Sequence, residues 1–177
     1  MRSLIVALLF LSLFSISLSA QFDTVAVKSI EGITSKMLEL ISCDIDEVRD
    51  WDEYRNLFLP TAQKIAVDPK AKGRKQARHM SLEEFVRYVG PLYPRDGFKE
   101  VVIGLTINEF NGIANVFQSY HAVNLTGTYE ERGVNSYQLV HMQDRWWIAS
   151  TTFVNETDEN PLPDVFLYPQ FRTKDKE

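Results

Sequence analysis

This sequence contains almost no cysteine, and its positive charges do not outnumber its negative charges. The only cysteine among 177 residues is Cys43, so neither an internal disulfide nor a Cys-based zinc site can be built. The 19 Lys and Arg residues face 24 Asp and Glu residues, which gives a net charge of −5. Because nucleic-acid-binding proteins are usually basic, this balance argues against nucleic acid as a partner.

Metal-ligand spacings are missing as well. The 3 His residues are His79, His121 and His141, and none belongs to an HxH or HxxxH pattern. The local sequence around them offers no Ser-His-Asp triad. We therefore expect no metal and no other cofactor.

Hydrophobic residues, in contrast, are plentiful. They make up 45% of the chain, which includes 11 Phe, 7 Tyr and 3 Trp. This composition indicates a folded globular protein rather than a disordered one, and the length suits a single domain.

The first 20 residues have the layout of a secretory signal peptide. Arg2 is followed by a Leu-, Ile- and Phe-rich run over 4–18 and by the small pair Ser19-Ala20. We expect cleavage after Ala20 and a secreted or periplasmic protein with no membrane contact afterwards. The alternative is an N-terminal membrane anchor, which usually needs about 20 apolar residues. No second long apolar run follows.

Apolar residues at helical spacing predict three helices in the first half of the mature chain. The first covers 24–41. The second starts near Asp44, where Glu47 completes a capping-box-like pattern, and ends at Pro60. The third starts at the capping box Ser81-x-x-Glu84 and ends before Gly90-Pro91, and a short strand is expected over 61–67.

Residues 70–78 carry five positive charges: Lys70, Lys72, Arg74, Lys75 and Arg78. The segment is either an anion-binding loop or a mobile, solvated loop, and charge runs of this kind favour the second interpretation.

From Lys99 onward the hydrophobic period changes from 3.6 to 2, which predicts two antiparallel hairpins. Segments 99–110 and 113–124 flank Asn111-Gly112, a dipeptide typical of type I′ turns, and segments 134–142 and 145–154 flank Gln143-Asp144. The globular domain is expected over 21–160 and a C-terminal extension over 161–177.

Turn register predicts which residues share a face of each hairpin. In the first hairpin the inward face is expected to hold Val101, Ile103, Leu105, Ile107, Ala114, Val116, Gln118, Tyr120 and Ala122. In the second hairpin both faces carry a Trp, so the register alone leaves its inner face undecided.

The chain resembles the nuclear transport factor 2-like (NTF2-like) superfamily, and within it the small exported bacterial SnoaL-like proteins. The resemblance depends on the element order and on three segments: Arg49-Asp50-Trp51-x-x-Tyr54-x-x-Leu57-Phe58, Ile113-Ala114-x-Val116-x-x-x-Tyr120, and 133–140 leading to Arg145-Trp146-x-Ile148-x-Ser150. It implies an α+β fold, in which three helices pack in a strongly curved antiparallel sheet shaped as a cone. It also implies that Leu139, Trp146 and Ile148 face inward.

The resemblance further implies a pocket at the open end of the cone. Superfamily members include isomerases, dehydratases, epoxide hydrolases and polyketide cyclases, besides domains without catalytic activity. For this chain we expect binding of a small hydrophobic or amphipathic molecule. The candidate ligand-binding residues are aromatic and polar side chains from two helices and the sheet: Trp51, Tyr54, Tyr88, Gln118, Tyr120, Asn135, Tyr137 and Thr152.

Two alternatives remain open. An acid–base enzyme would need an inward carboxylate, but Glu100, Glu109 and Asp144 are expected at strand ends or turns. A non-catalytic dimeric scaffold would use the outer sheet face. That face is expected to form a homodimer through the apolar residues Val102, Phe117, Val140, Trp147 and Phe153.

Overall fold

The computed structural model describes residues 22–69, 76–169 and 172. The predicted signal peptide lies outside these residues, and so do positions 70–75 of the basic segment. Within the described ranges no helix has the length and the apolar character needed to cross a membrane.

The first predicted helix is confirmed. A 3-10 turn over Ala26–Lys28 leads into helix α1, Ile30–Ile41, where the Ser29 hydroxyl accepts a hydrogen bond from the backbone N–H of Gly32. This cap satisfies a backbone donor that the first helical turn leaves unpaired. One side of α1 is buried in the core, including Ile33, Met37 and Ile41.

The second helix is shorter than predicted. Helix α2 is Trp51–Arg55, and its cap is Asp50, whose carboxylate accepts from the backbone N–H groups of Asp52 and Glu53. Glu47 does accept from the backbone N–H of Asp44 at 2.7 Å, but the chain there forms a turn instead of a helix. Val48, which lies within the range predicted for the second helix, is 88% exposed.

The third predicted helix is confirmed, and the structure adds a short helix that the sequence did not indicate. Helix α3 is Leu82–Val89 and begins with the complete capping box of Ser81 and Glu84. The short helix α4, Leu92–Asp96, follows it.

Six strands form one curved, unclosed sheet. They are β1 Phe58–Asp68, β2 Gln76–Ser81, β3 Lys99–Phe110, β4 Ile113–Val123, β5 Glu130–Met142 and β6 Arg145–Asn155. Their spatial order is β2-β1-β6-β5-β4-β3, and every neighbouring pair is antiparallel except β1 with β6, which is parallel.

The beginning of the sheet differs from the sequence expectation. Pro60, which was expected to end a helix, lies inside β1 at a point where the pairing with β6 shifts between Phe58 and Gln63. An irregular pairing tolerates a proline because no ladder hydrogen bond is required of it. The end of the basic segment, 76–78, belongs to strand β2.

Both predicted hairpins are confirmed. Asn111 and Gly112 have φ angles of 47° and 84°, and Gln143 and Asp144 have φ angles of 52° and 60°. Positive φ at both central positions matches a type I′ turn, whose twist fits the flanking strands. Leu139, Trp146 and Ile148 are buried, so the inner face implied by the family resemblance is confirmed as well.

A bulge in β3 overturns part of the predicted register. Leu105 and Ile107 pair with Gln118 and Val116 as expected, but the pairing shifts between Val102 and Gly104. An extra residue in a strand reverses the facing of every side chain beyond it. Val101 is therefore 52% exposed instead of inward.

The same bulge moves Ile103 to the outer face, where it packs with Leu162 and Leu167 of the C-terminal segment. Val102, predicted on the outer face, packs against the main core. Glu100, two residues earlier in β3, turns inward and borders a pocket.

A second bulge lies in the β5–β6 pair, where the register shifts between Gln138 and Leu139. Thr152 consequently pairs with Ser136, on the face opposite to the predicted one. Phe153, predicted on the outer face, packs against the main core and borders the pocket.

The C-terminal segment covers part of the outer sheet face. The ring of Phe166 stacks on that of Phe117 with 5.7 Å between centroids, and the backbone N–H of Tyr168 donates to the carbonyl of Ile103. The approach is close because Gly104 has no side chain: a Cβ there would lie 1.7 Å from the carbonyl oxygen of Phe166.

Candidate functional site

A pocket of about 430 Å³ opens between the helices and one end of the sheet. This volume lies in the range of about 300–1,000 Å³ that is usual for small-molecule sites. Its wall is mostly apolar and is built by Met37, Ile41, Phe85, Val89, Phe98 and Phe153. Polar side chains from five strands interrupt this wall: Lys64, Glu100, Tyr120, Asn135 and Asn155.

Glu100 is the acidic group inside the pocket. The β3 bulge turns its side chain inward, and the Ser42 hydroxyl accepts from its backbone N–H at 3.1 Å. The Asn135 amide donates to the carboxylate at 2.7 Å. Burial raises the pKa of Glu100 to about 7, against the opposing effects of the Asn135 hydrogen bond and the positive charge of Lys64.

Lys64 is the basic group inside the pocket, and it is only 3% exposed. Its Nζ lies 4.4 Å from the ring centroid of Phe85 and 5.2 Å from that of Phe58, so the ammonium group rests against aromatic faces. Burial lowers the pKa of Lys64 to about 8, while the charge of Glu100 acts in the opposite direction. Within the described chain no carboxylate lies within ion-pair distance of this amine.

Tyr120 and Asn155 form a second polar group at the pocket. The Tyr120 hydroxyl donates to Asn155 Oδ1 at 2.5 Å. Burial raises the pKa of Tyr120, so this phenol stays protonated and remains a hydrogen-bond donor. The absence of a side chain at Gly133 makes room for it, since a Cβ there would lie 2.5 Å from the Tyr120 hydroxyl.

Two of the predicted site residues form a hydrogen bond with each other inside the core. The Tyr137 hydroxyl donates to Gln118 Oε1 at 2.9 Å, and the two residues are 0% and 1% exposed. This buried pair does not border the pocket. Gln118 is thus a structural partner of Tyr137.

Of the eight predicted site residues, Tyr88, Tyr120 and Asn135 border the pocket. Trp51 and Tyr54 do not; their rings pack edge-to-face at 5.5 Å within the core. Gln118, Tyr137 and Thr152 lie away from the pocket for the reasons given above.

Exposed side chains form the pocket entrance. Tyr88 is 55% exposed, and the Arg78 guanidinium lies 5.3 Å from its ring centroid. Asp96 also borders the entrance, where Arg95 holds its carboxylate in an ion pair at 2.5 Å.

Histidine does not contribute to the pocket. His79 is exposed on β2, His121 bonds to Glu130 at 2.8 Å, and His141 contacts the ring of Trp146 beside a turn. Across the described ranges no group of three His, Cys, Asp or Glu residues has the arrangement of a metal site.

Two charged residues that border the pocket, Lys64 and Glu100, were not among the predicted site residues. For Lys64 a signal existed: Ala62, Lys64 and Ala66 alternate in the predicted strand, and all three turn inward. For Glu100 the regular alternation of β3 predicted the outer face of the sheet. The alternating pattern contains no sign of the bulge that turns this side chain inward.

Comparisons with known proteins support the fold. No family model matches the chain, and no curated protein matches it in sequence. Among solved structures, a scytalone dehydratase-like protein from Novosphingobium aromaticivorans superposes with a TM-score of 0.56 at 12% identity, over 83% of this chain and 94% of that one. A candidate dehydratase of the NTF2-like family from Streptomyces avermitilis superposes with a TM-score of 0.56 at 11% identity, over 74% and 96%.

A third solved structure widens the range of functions that share this architecture. It is described as the β subunit of an aromatic-ring-hydroxylating dioxygenase from Novosphingobium aromaticivorans, with a TM-score of 0.56 at 14% identity, over 75% of this chain and 90% of that one. Likeness at such low identity speaks for the fold and leaves the activity open. The chain has the nuclear transport factor 2-like fold that its sequence resemblance predicts.

Proposed function

We propose that the pocket binds a small amphipathic molecule. Its apolar body would lie against Met37, Ile41 and Phe85, and its polar group would meet Glu100 and Asn135. The observation that carries this proposal is the convergence of polar side chains from separate strands in an otherwise apolar pocket of about 430 Å³. A few convergent polar groups within an apolar cavity are the usual form of a small-molecule site.

A neutral fluorescent probe tests the proposal. N-phenyl-1-naphthylamine becomes brightly fluorescent in an apolar environment, and we expect saturable binding at one site per chain. Ala66→Phe should weaken this binding at least tenfold, because Ala66 borders the pocket and a ring would fill the space.

The matched control is Ala77→Phe on the neighbouring strand β2, where the side chain is exposed. This variant should bind the probe like the unmodified protein. Binding that is not saturable, or that survives Ala66→Phe unchanged, would count against the proposal.

A second candidate function is general acid–base catalysis on a hydrophobic substrate. It is favoured by Glu100, whose pKa of about 7 suits a group that accepts and returns a proton near neutral pH. Tyr120 lies in the same pocket as a protonated phenol. Dehydratases are among the proteins described with this fold, which is consistent with such chemistry.

Proton exchange offers a test that needs no natural substrate. In D₂O, the protein should accelerate deuterium incorporation at the carbon atoms next to the carbonyl of 2-tetralone, and Glu100→Gln should abolish the acceleration. Incorporation at the rate of a buffer blank would speak for binding without catalysis.

We also propose export, on the basis of Arg2, the apolar run 4–18 and Ala20. The mature protein isolated from its native host should start near Gln21 by mass spectrometry. An intact Met1 would contradict this localisation.

A homodimer through the outer sheet face remains a proposal, now with a smaller surface. Val102 and Phe153 turn inward and Phe166 stacks on Phe117, which leaves Val140, Trp147 and the uncovered part of Phe117 from the predicted group. Light scattering at high micromolar concentration should give twice the chain mass, and Trp147→Glu should return it to one chain.

A further inference from the structure

The charged side chains around the pocket do not balance. Four of them border it: Lys64, Arg78, Asp96 and Glu100. Asp96 is already neutralised by its ion pair with Arg95. Lys64 and Arg78 have no carboxylate within ion-pair distance in the described part of the chain, so the positive charge available to a ligand exceeds the negative charge.

The two cations lie along the same wall. In the β1–β2 pairing Lys64 is opposite Met80, and Ala66 is opposite Arg78. Lys64 and Arg78 are thus two positions apart along the strands, which corresponds to about 7 Å. Each cation rests on a ring of α3, Lys64 on Phe85 at 4.4 Å and Arg78 on Tyr88 at 5.3 Å.

An aromatic ring offsets only part of the cost of burying an ammonium group. Lys64 is only 3% exposed, and no carboxylate among the described residues lies within ion-pair distance of its amine. A buried charge without a partner is unfavourable unless something else supplies the opposite charge. A ligand that carries a carboxylate would supply it.

We propose that the pocket selects an amphipathic monocarboxylate whose head group pairs with Lys64, and that Glu100 takes up one proton when this molecule binds. The inference rests on the proposed binding function and adds the charge of the ligand. Arg78, at the entrance, attracts the anion from solvent before it reaches Lys64.

Proton uptake follows from the crowding of two carboxylates. A ligand carboxylate beside Lys64 also approaches Glu100, and two carboxylates that share a site favour protonation of one of them. The remaining groups around Glu100 are neutral: Met37 and Ile41 from α1, Phe85 and Tyr88 from α3, Tyr93 from α4, Tyr120 from β4, Asn135 from β5, Phe153 and Asn155 from β6, and Tyr129 from the loop before β5. Since the pKa of Glu100 is already about 7, the protonated form is available near neutral pH.

A head-group series tests the charge selectivity. Dodecanoate, dodecan-1-ol and dodecylamine share one tail and differ in charge, and each would displace bound N-phenyl-1-naphthylamine at concentrations below micelle formation. We expect dodecanoate to bind at least tenfold more tightly than dodecan-1-ol at pH 6.5, and dodecylamine to bind most weakly.

The affinity for dodecanoate should also fall as the pH rises from about 7 to 9. Glu100 then holds its proton less readily, and Lys64 loses its charge. Dodecan-1-ol should show no such fall.

Variants of the two pocket groups separate their roles. Lys64→Met should bring dodecanoate down to the affinity of dodecan-1-ol, with both ligands measured on this same variant. The control is Lys36→Met on α1, whose amine pairs with Glu39 and Glu53 and does not border the pocket. Glu100→Gln should keep the preference for dodecanoate and remove the part of the pH dependence near 7.

A variant at the entrance tests the same charge preference even if the variants of buried residues fail to fold. Arg78→Gln changes an exposed residue and should reduce the preference for dodecanoate about threefold while the thermal melt stays unchanged.

The outcomes distinguish this inference from the proposed function. Equal displacement by the three head groups, or a preference for dodecanoate that survives Lys64→Met, would overturn the inference and leave the binding function standing. If the unmodified protein does not bind the probe, the inference and the proposed binding function would both be overturned.

Discussion

The two ends of this sheet differ in how closely they follow regular strand geometry. Near the turns of the two hairpins the strands keep the register set by the turns, and the interior is filled by side chains such as Val116, Leu139 and Ile148. At the other end, beyond the bulges in β3 and β6, the interior is an open pocket bordered by Glu100 and Phe153. Two inserted residues, one in each hairpin, thus separate a packed core from an open pocket.

Large-to-small substitutions should produce the largest difference between the two ends. Leu139→Ala, at a residue that is 1% exposed, should lower the free energy of unfolding by about 2–5 kcal/mol because it leaves a cavity in a filled interior. Leu92→Ala should cost clearly less, since Leu92 borders space that is already open. Urea denaturation measures both, and equal losses would contradict the distinction.

The pH dependence of stability should come mainly from the pocket end. The pKa of Glu100 is raised from 4.5 to about 7 in the folded state, so between these values the folded protein binds more protons than the unfolded one. Stability should therefore fall as the pH rises from about 4.5 to 7, by on the order of 2–3 kcal/mol.

Lys64 acts in the opposite sense at higher pH. Its pKa is lowered from 10.5 to about 8, so the unfolded state binds more protons between these values and stability should rise again. Denaturation curves from pH 4 to 10 should show a minimum near pH 7–8. Glu100→Gln should remove the fall and Lys64→Met the rise; curves that keep their shape in both variants would rule out these groups as the cause.

The Gln118–Tyr137 hydrogen bond stabilises the filled end. Gln118→Leu leaves the fully buried Tyr137 hydroxyl without its acceptor, which should cost about 1–3 kcal/mol. The double variant Gln118→Leu/Tyr137→Phe should recover most of this loss because neither polar group remains. A double variant as unstable as the single one would mean that packing, and not the hydrogen bond, carries the effect.

The smallest effect on stability is expected at the entrance of the pocket. Tyr88→Ala changes a residue that is 55% exposed, so the free energy of unfolding should change by no more than about 0.5 kcal/mol. The same variant should weaken binding of N-phenyl-1-naphthylamine severalfold, because Tyr88 borders the pocket. A strong loss of stability without a change in probe binding would mean that Tyr88 supports the fold and not the pocket.

The sequence predicted the parts of the fold that depend on local rules. Capping at Ser81, the Asn111-Gly112 turn and the alternation near each turn gave helix α3, both hairpins and the inner face of the filled end correctly. The family resemblance supplied the curvature of the sheet.

The errors in the site have a common physical cause. A bulge is not encoded by alternation, so the facing of Thr152, Phe153 and Glu100 could not be deduced from their spacing. The sequence also shows that Gln118 and Asn135 are inward polar residues, but not which of them borders the pocket. Gln118 bonds to Tyr137 in the core and Asn135 bonds to Glu100 in the pocket, and nothing in the sequence pattern distinguishes the two cases.

The parallel pairing of β1 with β6 has a consequence for the order of folding. The two hairpins join neighbouring segments, whereas Lys64 pairs with Thr151, which is 151 − 64 = 87 residues away. Contacts between distant segments require a larger loop to close and therefore tend to form late. We expect the hairpins to form first and the wall that carries Lys64 to dock afterwards, so that a refolding chain acquires its sheet before it acquires any affinity for a ligand.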